Sequence, residues 1–199
     1  MPYITFFDTE TTGLPKRRNS NALETHDNWP DIVSVAWAVY EPNGTLVKKN
    51  YSLIKPDGWT IPEDSIKIHG ITEEKAYAEG RPLRDVLFEL KTDLEKSDRV
   101  VAHNIEFDKN VLFHAYKWRL NQNPWHVWPE WEICTMIKGE PEAKIPSKFP
   151  TTNRPYKSPT LTELYKATFN KEPTGQHNSM KDVEIMCEIY WARWRTDHL

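Results

Sequence analysis

Two acidic residues near the start of the chain, Asp8 and Glu10, are of a type and spacing that could do chemistry. They close an apolar run within residues 4–14, which then becomes rich in Thr and Gly. Because side chains alternate along a strand, both carboxylates should point to the same face at the end of this strand. Two anions held that close repel each other and lose hydration, which raises a pKa unless a multivalent cation binds between them. The pair predicts a metal site, with an ordinary strand that runs into a polar turn as the equal alternative.

A third carboxylate lies at a predicted helix start in the middle of the chain. Residues 99–104 have the composition of a short buried strand, and residues 105–112 continue with helical spacing. Asn104 is a favourable N-cap residue, so Asp108 should lie about one turn into the helix, near its positive end. An acid in a first helical turn commonly only compensates the helix dipole, so this fragment alone is a weak indication of function.

A fourth carboxylate follows near the C-terminus. The residues at positions 183, 186, 189 and 190 are apolar at helical spacing and predict another helix. Asp182 then lies in the first turns of this helix, and His177 lies on the loop before it. A histidine on a loop is commonly only solvated, so this fragment too is weak by itself.

In combination these fragments resemble a known family. Asp-x-Glu on the first strand, Asn-x-x-x-Asp in the middle and His-x-x-x-x-Asp before the last helix resemble the three motifs of the DnaQ-like exonucleases, in the histidine-containing DEDD branch. Residues 68–72 and 161–165 also resemble family segments, so the resemblance covers nearly the whole chain. The chain departs from the family pattern at Ser179, where a small Ala is usual, and by an insertion after the first motif.

The resemblance implies a 3′→5′ exonuclease with two divalent metal ions, Mg²⁺ or Mn²⁺, as cofactors. By similarity, Asp8 bridges both ions, Glu10 and Asp182 complete the first site, and Asp108 holds the second ion, mainly through water. All-oxygen ligands favour these hard cations over zinc. By the same similarity, His177 deprotonates the attacking water, with a purely electrostatic contact to the phosphate as the alternative.

Four further residues are carried over from the family as contacts to the terminal nucleotide. They are Thr9 through its backbone, Leu14 as an apolar wedge against the base, Asn104 near the sugar, and His69. For Leu14 the alternative is an ordinary core residue that closes the turn. For His69 we favour the alternative, a structural role at the end of the preceding helix.

The expected substrate is the 3′ end of single-stranded DNA. RNA trimming with the same chemistry is the first alternative, and a polymerase-associated proofreading module or an inactive scaffold is the second. A polymerase or another replication or repair protein is a candidate partner. The intact set of acidic residues argues against a scaffold, whereas the sequence does not indicate the sugar preference or the oligomeric state.

Composition agrees with a single domain that acts on nucleic acid without holding a duplex tightly. The chain has 199 residues and a net charge of −3, so a strongly basic footprint is absent. Bound divalent ions would offset the acidic cluster, so the active face need not repel phosphate. Its two cysteines have unrelated spacing and indicate neither a disulfide framework nor a zinc site. The sequence shows no apolar run of membrane-spanning length, and a reducing cytoplasmic setting is expected.

The order of elements predicts an α/β fold in which residues 1–199 form a single DnaQ-like exonuclease domain. Strands are expected at residues 3–10, 31–40, 46–54 and 132–137. Residues 42–44 should form a hairpin turn, and a helix should start at residues 158–159. The resemblance implies a ribonuclease H-like mixed β-sheet, with three antiparallel strands followed by parallel strands and with helices on both faces.

Two segments are expected to be loops, and each has a composition that could serve substrate binding. Residues 15–30 contain Lys16, Arg17 and Arg18, close enough in sequence to the first motif to meet phosphates, although a solvated charge run in a surface insertion is the favoured interpretation. Residues 139–159 combine basic residues with the aromatic Phe149 and Tyr156, a mixture that suits stacking and backbone contacts along a single strand.

Overall fold

The protein is described by a computed structural model that covers residues 2–18, 20–174 and 178–195. The strands are β1 (Tyr3–Thr11), β2 (Ile32–Tyr40), β3 (Leu46–Leu53), β4 (Ser97–Ala102), β5 (Trp131–Cys134), β6 (Pro146–Thr151) and β7 (Arg154–Tyr156). The first five form one sheet in the order β3-β2-β1-β4-β5. β1 to β3 pair antiparallel, whereas β4 runs parallel to β1 and β5 parallel to β4. The expected mixed sheet is confirmed, and β1, which carries Asp8 and Glu10, lies at its centre.

Helices cover both faces of this sheet. They are α1 (Glu63–His69), α2 (Glu73–Glu79), α3 (Leu83–Leu94), α4 (Ile105–His114), α5 (Thr135–Ala143), α6 (Leu161–Phe169) and α7 (Ser179–Arg193). On one face, Phe7 and Trp37 pack with apolar residues of α3 and α4. On the other face, Ile4 and Phe6 pack with α6 and α7. This alternation along β1 follows from the two-residue period of a strand between two covered faces.

The expected turn between β2 and β3 is confirmed. The Gly44 amide donates to the Glu41 carbonyl at 2.9 Å, and Gly44 has a φ of 92°, which a residue without a Cβ adopts at little cost. The strands on either side pair from Ser34 with Leu53 to Tyr40 with Leu46.

The expectation for residues 132–137 is wrong in its second half. The strand ends at Cys134 and α5 begins at Thr135, even though this helix contains Gly139 and Pro141, which disfavour a helix interior. Packing explains the difference. A Cβ on Gly139 would lie 2.6 Å from Leu164 Cδ1, so the missing side chain lets α5 approach α6 closely.

Two other elements differ from expectation. α6 starts at Leu161, slightly after residues 158–159, because the Thr160 side chain and Glu163 form a reciprocal capping box. Residues 139–159, expected to be a loop, contain the end of α5 and the two-stranded hairpin of β6 and β7. Across the described ranges, no helix has both the length and the apolar character needed to span a membrane.

Candidate functional site

Three carboxylates from the two ends of the chain meet at one place. Asp8 and Glu10 lie on the same face of β1, and Asp182 lies in the first turn of α7, which packs on that face. One oxygen from each of the three lies within 4.8 Å of the others. Asn178 fixes the start of α7, because its side-chain oxygen accepts from the amides of Met180 and Lys181 at 3.1 and 3.4 Å. The expected metal-ligand positions on β1 and α7 are therefore brought together.

The fourth carboxylate approaches β1 from α4. Asp108 lies in the first turn of α4, as expected, and only 3% of it is exposed. Its Oδ1 accepts two hydrogen bonds from Thr9, one from the amide at 3.1 Å and one from the hydroxyl at 2.7 Å. Thr9 stands between Asp8 and Glu10 in the strand, so these bonds tie the second motif directly to the first.

The acidic groups oppose one another's ionisation. Burial, followed by repulsion from Asp108, Asp182 and Glu10, raises the pKa of Asp8 well above its usual range. Burial and then the charges of Asp182 and Asp108 raise the pKa of Glu10 to about 7. Burial also raises the pKa of Asp108 to about 7, although the bonds from Thr9 act in the opposite direction. A divalent cation would relieve this repulsion, and the all-oxygen donor set fits Mg²⁺ or Mn²⁺.

His177 lies outside the described residues. Its sequence position puts it directly before Asn178, the N-cap of α7.

The substrate residues expected from sequence fall into two groups. Leu14 and Asn104 line one cavity of about 360 Å³. Leu14 is 74% exposed, so the alternative of a core residue is wrong. Asn104 is the residue before α4, but its φ of 66° is left-handed and its side chain does not cap the helix, which corrects the expected capping role.

Thr9 and His69 make structural bonds. The Thr9 amide, expected to meet the nucleotide, already donates to Asp108. His69 is the last residue of α1, and its Nδ1 accepts from the Ile71 amide at 3.1 Å, a bond that organises the turn after the helix. Burial lowers the pKa of His69, and its contact with the Thr11 backbone acts in the opposite direction.

The favoured interpretation of a solvated charge run in residues 15–30 holds, because Lys16, Arg17 and Arg18 are all exposed. Later residues of the insertion instead pack on α4 and on the π-helical segment Ala115–Arg119 that follows it. Ala22 is fully buried, and its carbonyl accepts from the Trp118 indole at 2.8 Å. The His26 carbonyl accepts from His114 Nε2 at 2.7 Å, and the Trp29 indole donates to the Ser20 carbonyl at 3.0 Å. The described residues of the insertion are thus held against α4 and the segment that follows it.

Arg18, one of the basic residues noted in the sequence, lines the same cavity as Leu14 and Asn104. Sequence reasoning missed two further residues of its lining, Trp29 from the insertion and Phe107 from α4. Trp29 is a large apolar residue in an otherwise polar insertion, and Phe107 directly precedes Asp108. Each of these two features can be seen in the sequence. That Trp29 and Phe107 line one cavity cannot, because they are far apart along the chain.

Comparison with known proteins gives consistent matches. A family model for the RNase_T exonucleases matches residues 5–190. The chain is 31% identical over 117 residues to the DNA polymerase III subunit epsilon of Pasteurella multocida (strain Pm70), a match that covers 58% of this chain and 42% of that protein.

Solved structures of exonuclease I are also similar. The E. coli enzyme in complex with a dT13 oligonucleotide superposes with a TM-score of 0.73 at 17% identity, over 100% of this chain and 42% of that chain. Exonuclease I from Methylocaldum szegediense gives a TM-score of 0.71 at 13% identity, over 98% of this chain and 42% of that chain. At such identity the likeness shows the fold, which confirms the expected ribonuclease H-like exonuclease fold. The chain spans less than half the length of these relatives.

Proposed function

This chain belongs to the RNase_T exonuclease family, and we propose that it is a metal-dependent 3′→5′ exonuclease that removes nucleoside monophosphates from the 3′ end of single-stranded DNA. The family places it among the phosphodiester hydrolases. The observation that carries the proposal is the convergence of Asp8, Glu10 and Asp182 within 4.8 Å, with Asp108 held against the same strand by Thr9. A cluster so costly in repulsion is expected where a cation binds.

Asp8, Glu10 and Asp182 would hold one divalent ion, and Asp8 with Asp108 would hold a second. Two such ions, when bound, would activate water and offset the negative charge that develops on the phosphate and on the leaving 3′-oxygen. The protein contributes the fixed placement of these oxygens. Because Thr9 bonds to Asp108 from within the strand that carries Asp8, Asp108 is held in a fixed place relative to that strand.

His177 is proposed as the general base. An imidazole has an ordinary pKa of about 6.5, so its neutral form can take the proton of the attacking water near neutral pH. Its place in the sequence, directly before the N-cap of α7, supports this role, because Asp182 follows in the first turn of the same helix.

The terminal nucleotide is proposed to enter the cavity between the insertion and α4. Its volume of about 360 Å³ is in the range of small-ligand pockets. Leu14 offers an exposed apolar edge to a base, Asn104 offers an amide, and Arg18 offers a positive charge to a phosphate. The solved exonuclease I complex with dT13 supports DNA as the substrate.

The hairpin of β6 and β7 is a second proposed contact for the strand. Phe149 is 88% exposed, and the neighbouring Lys148 is also exposed. The segment after the hairpin is fixed near the end of β4, because His103 Nε2 bonds to the Pro159 carbonyl at 3.1 Å. An exposed ring beside a cation can stack on a base and meet its phosphate.

A proofreading role is the second candidate, favoured by the similarity to a DNA polymerase III epsilon subunit. In that case a polymerase would be the partner. A mispaired primer end that is degraded faster when a polymerase is bound would support this role.

A panel of end-labelled substrates tests the main proposal. We expect Mg²⁺- or Mn²⁺-dependent release of mononucleotides from the 3′ end of linear single-stranded DNA, and slower cleavage of duplex DNA and of RNA of the same sequence. Cleavage in excess EDTA, or internal cuts in a circular single strand, would contradict the proposal. Faster cleavage of RNA would keep the chemistry and change the substrate.

A further inference from the structure

A buried pair of hydroxyls joins the sheet to the start of α7. Ser34 lies on β2 and Ser179 is the first residue of α7. Both residues are fully buried, and their Oγ atoms lie 3.0 Å apart. A buried hydroxyl without a partner costs free energy, so this bond favours one relative position of the two elements. We call these two residues the serine pair.

The serine pair connects two elements that carry residues of the acidic cluster, namely the sheet and α7. Ser34 is the cross-strand partner of Glu10, and directly opposite residues of two strands point to the same face. Ser179 is in the same first helical turn as Asp182. The bond therefore connects the place on the sheet that holds Glu10 to the helix turn that holds Asp182.

The bond between the serines acts on the first turn of α7, before the main apolar packing of this helix begins. The fully buried apolar residues of α7 begin at Val183, one turn later. At the same place, Glu10 and Asp182 repel each other, which tends to separate the helix start from the sheet. The bond between the serines opposes that separation where apolar packing has not yet begun.

We propose that Ser34 and Ser179 are positioning residues, which hold Glu10 and Asp182 at the separation that a divalent cation requires. This inference rests on the proposed function, since it assigns a role to the same acidic cluster. It also gives a role to the departure at position 179, because the Ala usual in the family has no hydroxyl to make the bond.

The test compares Ser34→Ala, Ser179→Ala and the double variant by titration with Mn²⁺, with the free ion followed by electron paramagnetic resonance. Each single variant should bind Mn²⁺ about two- to tenfold more weakly, the equivalent of one hydrogen bond. The double variant should bind no more weakly than either single variant, because both break the same bond. In EDTA the double variant should recover stability relative to Ser34→Ala, because the buried Ser179 hydroxyl is no longer left unpaired, while the bond between Ser34 and Tyr51 is lost equally in both variants.

Ser97→Ala is the matched control. Ser97 forms a similar hydroxyl pair with Thr5 at 2.8 Å, near the opposite end of β1. This variant should lose stability and keep the Mn²⁺ affinity of the wild type. Unchanged affinity in both single variants, fully additive losses, or an equal loss in Ser97→Ala would overturn the positioning role. A wild type that binds no Mn²⁺ would instead refute the proposed function itself.

Discussion

Two buried aspartates near opposite ends of the sheet have opposite environments. Asp93, at the end of α3, is 7% exposed, and its Oδ2 accepts from the Trp37 indole and the Lys48 ammonium, each at 2.7 Å. Asp108, at the start of α4, is 3% exposed and is bonded by Thr9, while other carboxylates face it. The first charge is neutralised within the protein. The second shares a pocket with other carboxylates, and burial together with their repulsion raises the pKa values of Asp8 and Glu10 as well as its own.

Under the proposed function, this difference separates a structural carboxylate, Asp93, from a metal-binding one, Asp108. A buried charge with a cation and a donor beside it contributes to the native structure, and removing it leaves its partners unpaired. A buried cluster of like charges costs stability, so its natural complement is a ligand of opposite charge. Burial and residue type alone would have placed both aspartates in one class.

The largest expected effect is that Asp8→Ala loses activity and keeps stability, whereas Asp93→Ala loses stability and keeps activity. Asp8→Ala should abolish metal-dependent cleavage and leave the protein folded, because Asp8 is the proposed bridge between the ions. Asp93→Ala should cost about 1–3 kcal/mol of unfolding free energy, because the Trp37 indole loses its partner, and should keep activity within a few-fold. Urea denaturation and initial cleavage rates measure both. Full activity in Asp8→Ala would contradict the role of Asp8 as a metal ligand and with it the distinction between the two kinds of buried aspartate.

The next effect concerns the proposed base. His177→Ala should lose about 10²–10⁴ in the single-turnover rate and still bind DNA, because only the proton acceptor is removed. His126→Ala, at an exposed histidine away from the motifs, is the control and should stay within a few-fold of wild type. A His177→Ala rate close to that of the control would assign the proton to another group.

The cluster should also respond to metal in the absence of substrate. Mn²⁺ at 100 times its dissociation constant should stabilise the wild type by about 2.7 kcal/mol. Asp182→Asn should be as stable as wild type or more stable in EDTA, because one anion leaves the cluster, and should show a smaller Mn²⁺ effect. Thermal melts with and without Mn²⁺ measure this. A strong loss of stability in EDTA would make Asp182 a structural residue of the helix start, comparable to Asp93.

The pH dependence of stability should change sign with metal. Glu10 and Asp108 have folded pKa values of about 7, above the usual values of 4.5 and 3.8, so the folded apo protein binds more protons than the unfolded chain. Their destabilising effect is complete above about pH 7 and fades as the pH falls toward the unfolded pKa values. In EDTA the melting temperature should therefore rise from pH 8 to about pH 5. With Mn²⁺ it should fall, because protons compete for the same oxygens. Equal slopes under both conditions would contradict the cluster.

The smallest effect is expected at the hairpin. Phe149→Ala should weaken binding of a long single strand about fivefold, the lower end of base stacking, and should leave cleavage of a dinucleotide unchanged. Phe88→Ala is the matched control, since Phe88 is also exposed but lies on α3. Equal effects of both variants, or none, would remove the hairpin from the proposed substrate path.

Sequence predicted the parts of the site that depend on local periodicity. The two-residue period of β1 placed Asp8 and Glu10 on one face, and helical spacing placed Asp108 and Asp182 in first turns. The family resemblance then brought these elements together. Turn signals and alternation predicted the hairpin of β2 and β3. The antiparallel place of β1 beside β2 came from the family resemblance.

The rest depended on contacts between distant residues. The insertion is held by bonds to Trp118 and His114, which no local pattern indicates. α5 forms despite Gly139 and Pro141 because its packing on α6 overrides propensity. The bonds from Thr9 to Asp108 join two motifs that sequence treated separately.

The acidic cluster combines the first strand of the sheet with the last helix of the fold, and this has a consequence for biogenesis. A ribosome makes Asp8 and Glu10 before Asp182, with the rest of the sheet and six helices of the described fold between them. A partly synthesised chain therefore lacks the complete set of metal ligands, and closing so long a stretch is among the entropically costly steps of folding. Under the proposed function, the newly made chain acquires its exonuclease activity only after α7 has docked on the sheet.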